Sequence, residues 1–188
     1  MTMMKLDIAL TAIDTANAAD PNQEDGKPAA LLYGQRMSEE LERLYPEATD
    51  PLKIAASGQH IERWITPRQS YPDGKAGYHA WRRDQARHHA DRVGEIMASA
   101  GYSPEEIEAA AKMLRKEGLK RDADVQALEN VICFVFLKWY FAPFAAKHED
   151  SKVLDIVQKT ARKMSEEGRA RVLAEFDLPK QLAEAFRD

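Results

Sequence analysis

Between Gln59 and His89 the chain reads QHIERWITPRQSYPDGKAGYHAWRRDQARHH, and these 31 residues carry four of the five histidines, two of the three tryptophans and five arginines. Each such side chain combines a planar or apolar body with a polar end that needs a partner once it leaves water. Their concentration predicts a lined ligand pocket rather than a plain surface loop.

The spacing suggests the chemistry. His60 lies one turn ahead of Trp64, with Arg63 beside it and Arg68 just beyond Pro67. Tyr78, Arg82 and Gln85 precede His89 by eleven, seven and four residues, which puts them on one side of a helix. Adjacent helical residues point about 100° apart, so only one of His88 and His89 can enter a given site. His89 shares a face with Arg82 and Val93 and is the expected member; His79 and His88 are expected at the surface. Glu129 opens the most apolar segment of the chain. Packed together, His60, His89 and Glu129 could bind one divalent metal or transfer protons, while guanidiniums hold phosphate oxygens. Arg36, after Tyr33-Gly34, either reaches the same place or faces solvent. A histidine on a half-apolar helix is also commonly a core residue with its hydrogen bonds made, and that alternative stays open for each member. His148 ends the apolar helix, where a cation meets the negative end of the helix dipole.

Helices must position these groups. Apolar residues recur at helical spacing almost throughout, without an alternating strand of useful length. The pattern predicts helices over residues 4–19 and from Pro28 to about Tyr45, with a polar stretch from Asn22 to Lys27 between them. A third helix opens at Asp50-Pro51, carries His60 and Trp64 and stops at Pro67. The loop 65–76 leads into a fourth helix from about Gly77 to Ala100, closed by Gly101. Ser103-Pro104-Glu105-Glu106 is a capping box that starts a fifth helix, ending near Gly118. A sixth, from Asp122 to about Lys147, should be the most buried, with Pro143 kinking it or ending it early. Two more follow at about 150–165 and 168–186. The expected fold is all-α, one domain over residues 1–188, a bundle of seven or eight helices.

The chain has 188 residues, 44% of them hydrophobic and 31% charged, which suits one well-buried core. A formal net charge of −4 argues against a general nucleic-acid binder. The lone Cys133, within VICFVFL, is expected as a buried core thiol. No signal-peptide pattern opens the sequence, and the apolar run Val131 to Leu137 is too short for a bilayer. A cytoplasmic protein without a membrane span is expected. Gly-rich phosphate loops, nucleophile elbows, HExxH and paired-cysteine zinc spacings are absent from the sequence.

Nearly the whole chain resembles an uncharacterised family, DUF4202, through LLYGQRM, IAASGQHIERW, PRQSYPDGKAGYHAWR, HHADRVGEIMASAGY and LENVICFVFLKWYFAPFAAKH. A more distant resemblance is to the HD superfamily of all-α, metal-dependent phosphohydrolases. There an early-helix histidine, a His-Asp pair and a later aspartate hold a metal that activates water against a phosphoester. LLYGQRMSEELERL resembles the early helix, IAASGQHIERW the His-Asp helix and ALENVICFVFL the later one. The chain departs from that pattern: Gln35 or Arg36 stands for the early histidine, Ile61 for the aspartate after His60, and Glu129-Asn130 at the later acidic position.

The resemblance implies an HD-like scaffold and a phosphorylated small molecule or nucleotide as ligand. His60, His89 and Glu129 are then the expected catalytic or metal-binding groups. Arg36, Arg63, Trp64, Arg68, Tyr78 and Arg82 are the expected ligand-binding ones. A metal-dependent phosphohydrolase is one expectation. The other is a metal-free ligand-binding or regulatory module, or one that binds a protein partner. Substrate identity and oligomeric state are not legible in the sequence.

Overall fold

The computed structural model describes residues 3–187, which are mainly helical, with one short hairpin. The helices fall into two compact units, Met1–Gly118 and Leu119–Asp188. The all-α expectation holds.

In the first unit, α1 (Lys5–Asn17) is followed by the hairpin of β1 (Gln23–Glu24) and β2 (Lys27–Pro28), then by α2 (Ala29–Leu44). The polar stretch expected after α1 is this hairpin. Asp25 and Gly26 turn it with φ of 50° and 74°, values that an Asp-Gly pair adopts readily in a two-residue turn. Pro28 ends β2 and stands just ahead of α2. The Asp20 carboxylate accepts from the Asn22 amide at 2.9 Å and the Ala30 amide at 2.8 Å, fixing the hairpin to the helix start.

Helix α3 (Asp50–Ser57) is shorter than its sequence suggests. It was expected to carry His60 and Trp64 as far as Pro67; instead it stops at Gly58. A Cβ on Gly58 would lie 2.5 Å from Val93 Cγ2, so close packing against α4 (Lys75–Ser99) keeps a glycine there and turns the chain. Two short 3-10 turns, Arg63–Ile65 and Arg68–Ser70, lead on to α4. Gly77, in the first turn of α4, has the Pro72 carbonyl oxygen 1.9 Å from where a Cβ would stand, and only glycine admits that backbone approach.

The capping box is present at α5 (Pro104–Leu114): Ser103 Oγ accepts from Glu106 N at 3.2 Å, and Glu106 Oε2 accepts from Ser103 N at 2.9 Å. Helix α3 packs against α1, α2 and α5, and α4 against α1 and α5. Ile13, Met37, Ile54, Ile61, Val93 and Met97 fill the space between them with no more than a trace of exposure. Each such side chain stabilises the fold by about 1.5–3 kcal/mol relative to exposure.

The second unit is built on α6 (Ala123–Val135), which continues through a π turn at Phe136–Tyr140 into α7 (Phe141–Ala146). The wide turn delivers Pro143 into the first turn of α7, where its missing N–H leaves no intrahelical bond unmade. Of the two outcomes expected at Pro143, a kink or an early end, the helix does not end there: it runs through the π turn to Ala146. By length and apolarity Ala123–Ala146 would cross a bilayer, and half of its apolar stretch is buried within the fold, as in the core helix of a globular protein. Helices α8 (Asp150–Lys163), α9 (Glu166–Glu175) and α10 (Lys180–Glu184) complete the unit. Val125, Leu128, Phe134, Val157, Met164 and Phe186 form its core, and the expected buried thiol of Cys133 lies among them.

Candidate functional site

A cavity of about 410 Å³ opens in the first unit, between the turn after α3, the middle of α4 and the end of α5. Its wall carries six cations, Arg63, Arg82, Arg83, Arg87, Arg115 and Lys116, against a single carboxylate, Glu117. That carboxylate is already bound, since Arg115 holds Glu117 and Glu108 at 2.6 Å each.

Local folding explains how each group reaches the wall. After Gly58 the chain bends through Glu62, a non-glycine residue at φ 55°. Such a conformation persists only where neighbours over-determine it. Here the Asn17 carboxamide oxygen accepts from Glu62 N at 3.2 Å, and the Glu62 carboxylate is held by Arg92 at 3.1 Å and His88 at 3.2 Å. The bend presents His60 and Arg63 together. Helix α4 supplies Arg82, Gln85 and His89 from one face. At the end of α5, Lys116 takes φ 58° and Gly118 φ 83°, so the chain turns with Arg115 and Lys116 beside the cavity.

His60 stacks on Tyr33, ring centroids 3.9 Å apart and 11° from parallel. Arg63 Nη1 stands 2.5 Å from His60 Nε2. The same Nη1 lies 3.2 Å from Nδ1, so the guanidinium sits against both ring nitrogens rather than in line with one lone pair. Burial holds the His60 pKa well below its ordinary value, and the charges of Arg63, His89, Arg82 and Lys116 push the same way. The His89 ring lies 6.1 Å from that of His60. Its pKa is pushed down to about 3, first by burial and then by Arg63, His88 and Arg82.

Arg63 also lies over the Trp81 ring at 4.7 Å. Burial and Arg82 both lower its pKa, which means that the charged form is disfavoured where it stands. Arg82 donates to Tyr78 Oη at 3.1 Å. Among the described residues neither Arg63 nor Arg82 meets a carboxylate. Three buried polar atoms on the residues around the cavity also lack hydrogen-bond partners: Gln59 Oε1, Gln85 Oε1 and His89 Nε2. An anion would relieve the cation crowding, and a polar ligand would satisfy these atoms.

Of the residues expected from the sequence, His60, Arg63, Arg82 and His89 come together here. The others are engaged elsewhere. Arg36 is paired with Glu24 at 2.7 Å and Asp25 at 3.0 Å, closing the hairpin. Arg68, expected at a phosphate, donates instead to the carbonyls of Tyr71, Pro72 and Gly74 at 3.0–3.2 Å and so shapes the loop before α4. Trp64 is half-buried off the wall, and Tyr78 is exposed beside Arg82. Glu129 is buried in the second unit.

A divalent metal does not fit these residues. Among the described residues no three His, Cys, Asp or Glu side chains are grouped to hold an ion. His60 Nε2 already faces a guanidinium, and a metal beside Arg63 and Arg82 would meet their repulsion. Four further members of the wall carry no distinctive sequence signal. Arg83, Arg87, Arg115 and Lys116 resemble ordinary solvated charges; the available signal was the basic pair Arg115-Lys116 two residues ahead of Gly118.

A family model described as Domain of unknown function (DUF4202) matches residues 7–185. No curated protein and no solved structure matches the chain.

Proposed function

The chain belongs to the DUF4202 family, and we propose that it binds a phosphorylated small molecule or nucleotide in the basic cavity of its first unit. The observation that carries this reading is Arg63, a half-buried guanidinium set against Arg82 without a carboxylate partner. Burying an unpaired cation is unfavourable, and a site that retains one is built for an anion from outside. Phosphate oxygens match the flat, forked donors of arginine.

The binding reading is favoured over metal-dependent hydrolysis by the chemistry of the donor set. The pKa values of both imidazoles are held down, His60 lies against the Arg63 guanidinium, and no group of three metal donors is present among the described residues. Isothermal titration with inorganic phosphate, pyrophosphate and adenosine nucleotides tests the proposal. Binding that weakens steeply with added salt is expected, because screening acts on each cation–phosphate contact. Failure of all these anions to bind at low salt would overturn it.

A further inference from the structure

The cations explain an anion but leave the other half of the wall without a purpose. Gln59, Gln85 and His89 are 8%, 5% and 5% exposed, and each holds a polar atom with no partner. An unsatisfied buried polar atom costs about 1–3 kcal/mol, and a ligand whose groups reach these three would recover that cost.

Gln85 fixes what that something must offer. Its Nε2 donates to the Thr66 carbonyl oxygen at 2.7 Å, and Trp81 Nε1 donates to the same oxygen at 2.9 Å. Turning the amide over would set two oxygens against each other, so Oε1 is the free atom and requires a donor. Arginine and lysine cannot serve bound groups in that way toward a ligand's donors, and a bare phosphate dianion carries almost none. Hydroxyls can: they donate to Gln85 Oε1 and also suit His89 Nε2 in either tautomer, because they both donate and accept. The described residues lining the cavity include no Phe, Tyr or Trp, so the wall offers polar contacts rather than an aromatic platform for a base. At about 410 Å³ the space is of the size that encloses a small organic ligand, well beyond a lone phosphate.

Resting on the anion-binding reading above, we infer that the ligand is a phosphorylated sugar, its phosphate held by Arg63 and Arg82 and its hydroxyls by Gln59, Gln85 and His89. The sugar phosphate is either free or the ribose phosphate of a nucleotide.

Titration of the full chain with inorganic phosphate, ribose 5-phosphate and adenosine 5′-monophosphate tests this directly. Wild-type protein should bind ribose 5-phosphate, the nucleotide or both at least about tenfold more tightly than inorganic phosphate. Preference for one of the two sugar phosphates identifies the source. Gln59→Leu and Gln85→Leu should each bring sugar phosphates down toward the affinity of inorganic phosphate. Gln85→Leu also removes the bond to Thr66, so its ligand-free melting temperature is measured alongside; Gln59→Leu and the wild-type comparison stand without it. Equal wild-type affinity for phosphate and sugar phosphate overturns the inference and leaves the anion site standing. Binding of none of the three overturns both.

Discussion

Arg63 Nη1 lies 2.5 Å from Nε2 and 3.2 Å from Nδ1 of His60, setting a guanidinium against an imidazole whose pKa is held well below its ordinary value, at the wall of the basic cavity. The pairing orients the guanidinium without neutralising it. A carboxylate in place of His60 would hold Arg63 equally well and would cancel the charge that an incoming anion needs.

Replacing this cation should therefore separate stability from binding. Arg63→Met keeps a long apolar stem over Trp81 and removes a charge that burial and Arg82 disfavour. The ligand-free variant is expected to be more stable by roughly 1 kcal/mol, because a half-buried charge without a carboxylate partner is lost. Its stabilisation by phosphate should vanish. Thermal unfolding with and without phosphate checks both. A variant that is less stable and still responds to phosphate would make Arg63 a packing residue.

Two imidazoles with lowered pKa, His60 and His89, give the first unit an acid-sensitive term. In the unfolded chain a histidine titrates near ~6.5, whereas folded His89 is pushed down to about 3 and folded His60 lies well below its ordinary value. Between those limits the unfolded state holds protons that the folded state does not, so stability falls on acidification and is complete above about pH 6.5. The slope should approach about 1.4 kcal/mol per pH unit for each histidine. Asp14, whose pKa is raised by burial, acts with the opposite sign. Comparing wild type with His89→Gln by urea unfolding at about pH 5 and 7 isolates the histidine. The variant should lose less stability on acidification, and equal losses would remove His89 from the account.

Helix signals were legible because they are local. Ser103-Pro104-Glu105-Glu106 states its capping box in four residues, and the structure has that box. The end of α3 was not legible, because it depends on Gly58 meeting Val93 far along the chain. For the same reason His60 and Arg63 were recognised as chemistry but assigned to the wrong element; a left-handed Glu62 held by Asn17, His88 and Arg92 places them. Arg68 and Arg36 lie off the cavity wall. Their residue type suits phosphate, but their partners are three loop carbonyls in one case and two hairpin carboxylates in the other. Residue type alone cannot reveal that a guanidinium is already occupied.

Arg68 gives a sharp contrast with Arg63. Arg68→Ala removes three donors from the carbonyls of Tyr71, Pro72 and Gly74, at a cost of about 1–3 kcal/mol for groups bonded to a charged donor. The loop should become more open to proteolysis, while phosphate affinity stays within about twofold of wild type. Limited proteolysis followed by titration decides. Loss of phosphate binding with the loop still protected would return Arg68 to the site.

In the second unit, the bonds of Asn130 are those of a clasp. Its Oδ1 accepts from Ser165 N and Gln126 Nε2, both at 3.1 Å, and its Nδ2 donates to Ser165 Oγ at 2.9 Å. Ser165 in turn caps α9 by accepting from Gly168 N at 3.0 Å, and a Cβ on Gly168 would come within 2.8 Å of the Asn130 side chain. Asn130→Ala should therefore destabilise the second unit by about 2–4 kcal/mol, through the lost bonds and the groups left unpaired. Asn130→Asp keeps the acceptor for Ser165 N but loses the donor to Oγ, and should fall between wild type and Ala. Hydrogen exchange should report the loss at the start of α9, with phosphate binding by the first unit retained. An Asn130→Ala protein as stable as wild type would exclude the clasp.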